Sequence, residues 1–225
     1  MDELITTLAP LVAPFRDCVR TEVFLTFQAL IAGWVVCLGP HTLSEVWQAT
    51  GPAARRYHDA AYAVFHSAVR EWGDLGIVLA TLILTHLVPG GQVWVVVDDT
   101  LGHKRGAKVA FGGIFLDAVL SSRQRKVLRF GLNWVVLGVM APIPLRPDRH
   151  FCLPVLWRLY RGKGRARFQT RSQAAAELAR ELAEAAPDRT SCAGRRRRLH
   201  QRHRAAGPAG EPPGHRAAAL EGGVI

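Results

Sequence analysis

The chain has 225 residues, 49% of them hydrophobic, with a formal net charge of +11 and a pI near 10.5. This apolar content excludes global disorder, and the basic charge favours a polyanionic partner, either nucleic acid or an anionic membrane surface. The cysteines share no metal-ligand or CxxC spacing, which predicts buried thiols in a reducing cytoplasm: Cys18, Cys37, Cys152 and Cys192.

The N-terminus lacks the basic start and the apolar run of a signal peptide. The longest apolar stretch, Leu75 to Val88, has 14 residues, whereas about 20 are needed to cross a bilayer. We therefore predict a core helix there, no membrane span and a cytoplasmic location.

Residues 1–88 are predicted to form four or five helices joined by short turns. The run "FRDCVRTEVFLTFQALIAGWVVCL" predicts one long helix that ends at the following Gly-Pro. The run "TLSEVWQAT" predicts a short amphipathic helix with Thr42 or Ser44 as its N-cap, ended by a second Gly-Pro.

The next run, "ARRYHDAAYAVFHSAVREWG", predicts a helix with an apolar stripe formed by Tyr57, Ala61, Val64, Phe65, Ala68, Val69 and Trp72. Helix, tight turn and helix within "GPHTLSEVWQATGPAARRYHDAAY" fit either a helix-turn-helix that reads DNA or an ordinary helical bundle. Both interpretations stay open at this point.

The pattern changes to strands after "PGG". Val93 to Val97 predicts a short strand buried on both faces. Asn133 to Leu145 predicts a second strand, and Arg149 to Arg161 a third, in which Pro154 requires a sheet edge or a bulge.

The run "QTRSQAAAELARELAEAAPDR" predicts a helix capped by Thr170 or Ser172 and ended by Pro187. Its predicted apolar face consists of Ala174, Leu178, Leu182 and Ala185. Strands followed by one helix, after a helical region, predict an α+β or α/β fold.

From residue 191 the composition changes, because Ala, Arg, Gly and Pro make up 23 of the last 35 residues. Seven Arg and two Glu give this segment a charge of +5. Such a composition cannot bury enough apolar surface to offset its chain entropy, so residues 191–225 are predicted to be a disordered tail.

The first predicted strand runs directly into two carboxylates, Asp98 and Asp99. They point to opposite faces, because the side-chain period of a strand is two. The next loop is basic and contains His103, Lys104, Arg105 and Lys108. Carboxylates on a rigid strand suit Mg²⁺ or Mn²⁺, and a basic loop suits a phosphate backbone. These features fit metal-assisted phosphodiester chemistry, whereas the structural alternative is that the carboxylates end the strand and pair with Lys104 or Arg105.

The run "VVVDDTLGHKRGAKVAFGGIFLDAVLSS", continued by "RQRKVLRFGLNWVVLGVMAPIPL", resembles bacterial insertion-sequence transposases with an RNase H-like DDE nuclease domain. The likeness covers about residues 15–190 and is strongest from 90 to 145. It implies a helical N-terminal region over 1–88, a partial RNase H-like domain with an incomplete mixed sheet and one flanking helix over 89–190, and the disordered tail over 191–225.

This resemblance implies that Asp99, which stands directly before a threonine, is the first metal-binding acid, with Asp98 as the fallback. The residues implied to contact DNA phosphate are His103, Lys104, Arg105 and Lys108. Related enzymes hold two divalent ions, Mg²⁺ or Mn²⁺, between three acids. The implied partners are the DNA ends of the element and either a second copy or a full-length transposase.

The chain departs from the family after its Ala/Leu helix, where the second acid lies in a run like Val-Val-Gly-Asp-x-x-Tyr and the third, a Glu, follows on a later helix. Here the sequence continues "SCAGRRRRLHQRHR", and Glu211 and Glu221 are poor substitutes. We expect a frameshift after about Thr190, an inactive fragment and an exposed apolar edge along Val93 to Val97. The alternatives are a noncatalytic DNA-binding protein that occupies element ends or inhibits a full-length transposase, and a basic protein unrelated to transposition.

Overall fold

The computed structural model describes residues 2–51, 58–68, 71–88, 90–106, 108–162, 168–189 and 191–195. Within these ranges lie six α-helices: α1 Asp2–Val12, α2 Phe24–Val36, α3 Leu43–Ala49, α4 His58–Ala63, α5 Trp72–His86 and α6 Arg171–Ala185. The strands are β1 Val93–His103, β2 Gly113–Leu116, β3 Leu128–Ile143, β4 Arg146–Leu159 and β5 Ser191–Arg195. A helical region therefore precedes a sheet, which confirms the predicted mixed α+β fold.

The predicted long first helix is divided in the structure, so that prediction is wrong in its extent. Two 3₁₀ segments, Ala13–Cys18 and Thr21–Val23, precede α2. Between them Val19 is extended, with φ −121° and ψ 144°, and is only 1% exposed. Burial of this β-branched side chain between the helices replaces the helical turn that local periodicity predicts.

Helix α3 has the predicted N-cap, because the Thr42 hydroxyl accepts a hydrogen bond from the Glu45 N–H at 3.3 Å. It packs closely on α2 at Gly33, where a Cβ atom would lie 2.5 Å from the Val46 carbonyl oxygen. The start of the predicted following helix, residues 52–57, lies outside the described residues. The choice between a DNA-reading helix-turn-helix and a bundle therefore stays a prediction.

The apolar stripe predicted for the third helical run is correct at its start and wrong further along. Ala61 and Val64 are buried, but Phe65 and Trp72 are 51% and 41% exposed. Helix α4 continues as a π-helical turn over Val64–Ala68. This wider winding changes the phase of the side chains that follow, and α5 begins as a separate helix after the extended Glu71.

Helix α5 is the predicted core helix, and it contacts both apolar clusters of the described residues. Its side chains Ala80 and Leu84 belong to the cluster under the sheet, whereas Leu75 packs against the cluster of the preceding helices. The close approach of α5 to β4 requires Gly76, where a Cβ atom would lie 2.4 Å from the Val155 carbonyl oxygen. Among the described residues, no helix combines the length and apolar character needed to cross a membrane.

The sheet is mixed, with β3 antiparallel to β1 on one edge and to β2 and β4 on the other. Strand β5 runs parallel to β1 on the edge that β3 does not occupy. Pro154 lies in β4, opposite Gly138, at a register shift that follows Leu137. Strand β4 pairs with β3 alone among the described strands, so the predicted edge position and bulge at Pro154 are both confirmed.

Ser191–Arg195, predicted as the beginning of a disordered tail, form β5. Their register with β1 runs from Val93 opposite Ser191 to Val97 opposite Arg195. The prediction of an exposed apolar edge along Val93 to Val97 is therefore wrong, because backbone pairing does not require apolar side chains on the added strand. The remainder of the predicted tail, 196–225, lies outside the described residues.

Helix α6 begins with a capping box, in which Thr170 and Gln173 each accept a hydrogen bond from the other's backbone N–H. The predicted face is confirmed at Ala174, Leu178 and Leu182, which are at most 4% exposed. Ala185, in the last turn of the helix, is exposed, so its predicted burial is wrong.

The prediction of buried cysteines is confirmed at Cys18 and Cys37 and is wrong at Cys152, which is exposed on the edge strand β4. The side chain of Cys192 lies outside the described part of the chain.

Candidate active site at the end of strand β1

Strand β1 continues past both carboxylates to His103, so the prediction that the strand ends at them is wrong. Alternation along β1 places its two carboxylates on opposite faces of the sheet. Val93 and Val95 are each 2% exposed and belong to the apolar cluster that includes α5 and α6. Asp99 follows in the same alternation and lies beyond that cluster, whereas Asp98 belongs to the other face. Both carboxylates are exposed, and the Asp98 Oδ1 atom accepts a hydrogen bond from the Asp99 N–H at 3.0 Å.

Asp99 has two side-chain neighbours, one from β3 and one from α6. The Asn133 Nδ2 atom and the Arg171 Nε atom each lie 3.5 Å from the Asp99 Oδ2 atom. The Arg171 Nε also donates to the Asn133 Oδ1 atom at 3.2 Å. Asn133 is 2% exposed, so its amide is held rigidly, while the side chains of Asp99 and Arg171 are about half exposed, at 50% and 45%.

This donor set does not fit a two-ion metal site. A guanidinium lies beside the Asp99 carboxylate, at the distance of an ion pair, and Asn133 Oδ1 already accepts its hydrogen bond. Within the described ranges there is no group of three or more His, Cys, Asp or Glu side chains placed to hold a metal ion. One carboxylate next to a fixed cation cannot neutralise two divalent ions.

Strand β5, which pairs with β1 before Asp99, also lacks a carboxylate. Strand β5 ends opposite Val97, two residues before Asp99 along β1. Its sequence, "SCAGR", contains no acidic residue, and its last position is Arg195. The described part of the chain after α6 thus forms a strand that contains no acidic residue.

The predicted basic loop leaves the same end of β1. Lys104, Arg105 and Lys108 are exposed, and the Lys104 N–H donates to the Phe130 carbonyl oxygen at 3.2 Å. His103 differs from the other three, because its Nε2 atom lies 2.7 Å from the Asp117 Oδ2 atom.

Asp117 is a nearly buried carboxylate, with its side chain 3% exposed, that fixes the turn after β2. Its Oδ1 atom accepts hydrogen bonds from the N–H groups of Val119 and Leu120, both at 3.0 Å. The Leu120 N–H, together with the hydrogen bond from His103 and the Val119 N–H, lowers the pKa of Asp117 below its ordinary value and outweighs burial, which raises it. Asp117 therefore remains ionised and holds His103 in place.

Arg171 also belongs to an aromatic cluster, which we define as Phe115, Tyr160 and Phe168 with the Arg171 guanidinium. The guanidinium carbon lies 4.9 Å from the ring centroid of Tyr160 and 6.0 Å from that of Phe115. The Phe115 and Tyr160 rings meet edge to face at 5.9 Å, and Phe168 lies 6.4 Å from Tyr160. These distances are in the range of cation–π and aromatic contacts.

The sequence-based prediction brought together the strand end and the basic loop, but it missed Arg171, Asp117 and the aromatic cluster. It preferred a purely structural role for Asn133 in the second strand over a direct role in the site, whereas the structure places its amide 3.5 Å from Asp99. One signal was available for Asn133, because an amide interrupts the apolar alternation of β3 on its buried face. Arg171 and Tyr160 are brought to Asp99 by tertiary packing, for which the sequence has no local signal.

A family model described as DDE superfamily endonuclease matches residues 14–212. The match begins where the resemblance was expected to begin and extends past residue 190, through β5 and beyond. Searches among curated proteins and among solved structures found no significant match. Because the family model covers most of the chain, this protein belongs to the DDE superfamily endonuclease family.

Proposed function

We propose that this chain derives from the DNA transposase of an insertion sequence, whose reaction is metal-dependent phosphodiester cleavage and strand transfer, and that the chain itself is an inactive fragment. Its family supports a nuclease or transposase type of function in general. The exposed Asp99 on the central strand β1 supports a reaction at that point of the fold. We propose a cytoplasmic location, which the lack of CxxC spacing among the cysteines supports.

The observation that favours inactivity is the residue type on β5. In the resembling transposases, the strand after the Ala/Leu helix ends in Gly-Asp, and here β5 ends in Gly194-Arg195. An arginine at this register position replaces a negative charge with a positive one, two residues from Asp99 along the paired strand. We propose that a frameshift after about Thr190, or an equivalent change, removed the second and third acids.

DDE endonucleases generally use divalent metal ions. We propose Mg²⁺ or Mn²⁺ as the ion of the intact enzyme, with Asp99 as the first ligand and Asp98 as the fallback. In the described part of this chain Asp99 faces Arg171 instead, and no reaction step through an ion is derived from this arrangement.

For DNA binding we propose the exposed loop after β1. Lys104, Arg105 and Lys108 are solvent-accessible cations within ten residues of Asp99 and would contact phosphate. His103 is proposed for the same contact, although its Nε2 atom is already paired with Asp117. Through this pair with Asp117, His103 would also orient the loop.

The second candidate function is a noncatalytic DNA-binding protein that occupies element ends or inhibits a full-length transposase by forming mixed dimers. The ion pair of Asp99 with Arg171 favours it, because this pair satisfies the carboxylate without a metal. A homodimer of this chain would act in the same way by blocking the ends.

The test is fluorescence anisotropy with duplexes that contain the inverted repeats flanking the gene, compared with shuffled duplexes, with and without Mg²⁺. Preferential binding to the repeats without cleavage would support the second candidate, a noncatalytic DNA-binding protein. The salt slope of binding should fall by about one to two when Lys104 and Arg105 are both changed to alanine. Mg²⁺-dependent cleavage by the purified chain would overturn inactivity, and equal binding of shuffled DNA would overturn the role at element ends.

The matched control is a double alanine variant of Arg146 and Arg149. These residues are exposed at the opposite end of β4, and the variant removes the same charge. An equal loss of affinity in both double variants would show a general charge effect and would contradict the assignment of the β1 loop.

A further inference from the structure

We propose that the aromatic cluster beside Asp99 binds an unpaired nucleobase of a DNA strand by stacking. The inference rests on the proposed function, since it assumes that DNA is the ligand, and it adds a subsite that reads a base instead of a phosphate. The cluster consists of Phe115, Tyr160, Phe168 and Arg171, as defined above.

The cluster lies on the same face of the sheet as Asp99. Phe115 on β2 is paired with Arg129 on β3, and alternation places Arg129 and Asn133 on one face. Asn133 is the residue that contacts both Asp99 and Arg171. A continuous surface therefore leads from the carboxylate, through Arg171, to the aromatic rings.

The chemistry of this surface suits a base. Phe115 and Tyr160 are partly exposed, and Phe168 is 37% exposed, so part of each side chain is open to solvent. Arg171 is held by Asn133 and Tyr160, and a planar guanidinium so fixed offers a second stacking surface. Arg129 is exposed beside Phe115 and adds a cation for the adjoining phosphate.

The ligand is an unpaired base and not duplex DNA, because bases within a duplex stack on one another and present no free π-face. Proteins that bind single strands combine cations along the backbone with aromatic side chains that stack on successive bases. The cluster has both features within one side-chain length of Asp99. A base at a frayed or cleaved strand end would reach it while the adjoining phosphate approached Arg129.

The experiment uses the full chain and two DNA probes of the same sequence, one blunt and one with a three-nucleotide unpaired 3′ end that contains 2-aminopurine. A fluorescein label on the opposite end reports total binding by anisotropy. Stacking should quench the 2-aminopurine, and Tyr160→Leu should weaken binding of the overhang probe about ten-fold while leaving the blunt probe within two-fold. Tyr160→Phe should retain both the quench and the affinity.

The matched control is Phe151→Leu, which removes a ring that is 50% exposed at the opposite end of β4. Circular dichroism melts establish that each variant is folded. Binding of both probes by the unsubstituted chain without quenching, or equal quenching by Tyr160→Leu, overturns the base subsite and leaves the proposed function intact. Failure of the unsubstituted chain to bind either probe overturns both.

Discussion

The packing of α6 under the sheet leads to a quantitative prediction, and the same helix brings Arg171 to Asp99. Leu178 is 0% exposed and belongs to the apolar cluster of β1, β3 and α5. Leu178→Ala removes this buried side chain and leaves a cavity, for which we expect a loss of about 3–5 kcal/mol in the free energy of unfolding. A domain of this kind has roughly 5–15 kcal/mol in total, so the variant should lose about a fifth or more of its stability.

The assay is urea unfolding followed by tryptophan fluorescence and circular dichroism. The control is Leu128→Ala, the same change at a position that is 62% exposed, for which we expect a change within about 0.5 kcal/mol. In a thermal scan the Leu178 variant should melt roughly 6–15 °C lower. A loss below about 1 kcal/mol, or equal losses in both variants, would refute the packing of α6 on the sheet.

Three further predictions concern the site and its strands. Arg171→Gln removes the cation 3.5 Å from Asp99. Because both side chains are about half exposed, Mn²⁺ binding measured by electron paramagnetic resonance should tighten only about 1.4- to 5-fold. The control Arg180→Gln, on the exposed side of α6, should leave the Mn²⁺ affinity unchanged, and equal affinities of the two variants would contradict the pairing of Arg171 with Asp99. The pKa of Asp117 is lowered by the fold. Its contribution to the free energy of unfolding is therefore present above the unfolded pKa of about 3.9 and is lost as the pH falls through the lowered pKa. In urea unfolding, Asp117→Asn should show a smaller loss of stability between pH 5 and pH 2 than the unsubstituted chain, and an unchanged pH profile would contradict the assigned hydrogen bonds. A chain that ends at residue 190 should scatter more light on concentration than one that ends at 195, because it exposes the edge of β1 that β5 covers; equal scattering would contradict the pairing.

The sequence alone predicted the mixed fold, a strand that begins at Val93, the Pro154 edge and the capped α6, because each depends on local periodicity or on the backbone limits of proline. It placed the end of that strand at the two carboxylates, whereas β1 continues to His103. It did not predict β5, since the backbone of Ser191–Arg195 pairs with β1 although these side chains have no strand pattern. The break at Val19 and the π-helical turn at Val64–Ala68 were missed because burial between helices overrides local helix preference.

The candidate site likewise contains residues that the sequence predicts and residues that it does not. Asp98, Asp99 and the basic loop are contiguous in the chain, so a motif identifies them. Arg171 reaches Asp99 from a separation of 72 residues, through the seating of α6 on the sheet. Such a partner follows only from the three-dimensional arrangement, and it changes the expected chemistry from a metal site to an ion pair.

The most direct test replaces the arginine that ends β5. Arg195→Asp restores a carboxylate at the register position opposite Val97, and Mn²⁺ binding should tighten about ten-fold or more relative to the unsubstituted chain. Adding Asp99→Asn to this variant should abolish the gain, because both acids are required. An unchanged affinity in Arg195→Asp, or a gain that survives the loss of Asp99, would contradict the claim that Asp99 is one acid of an incomplete metal site.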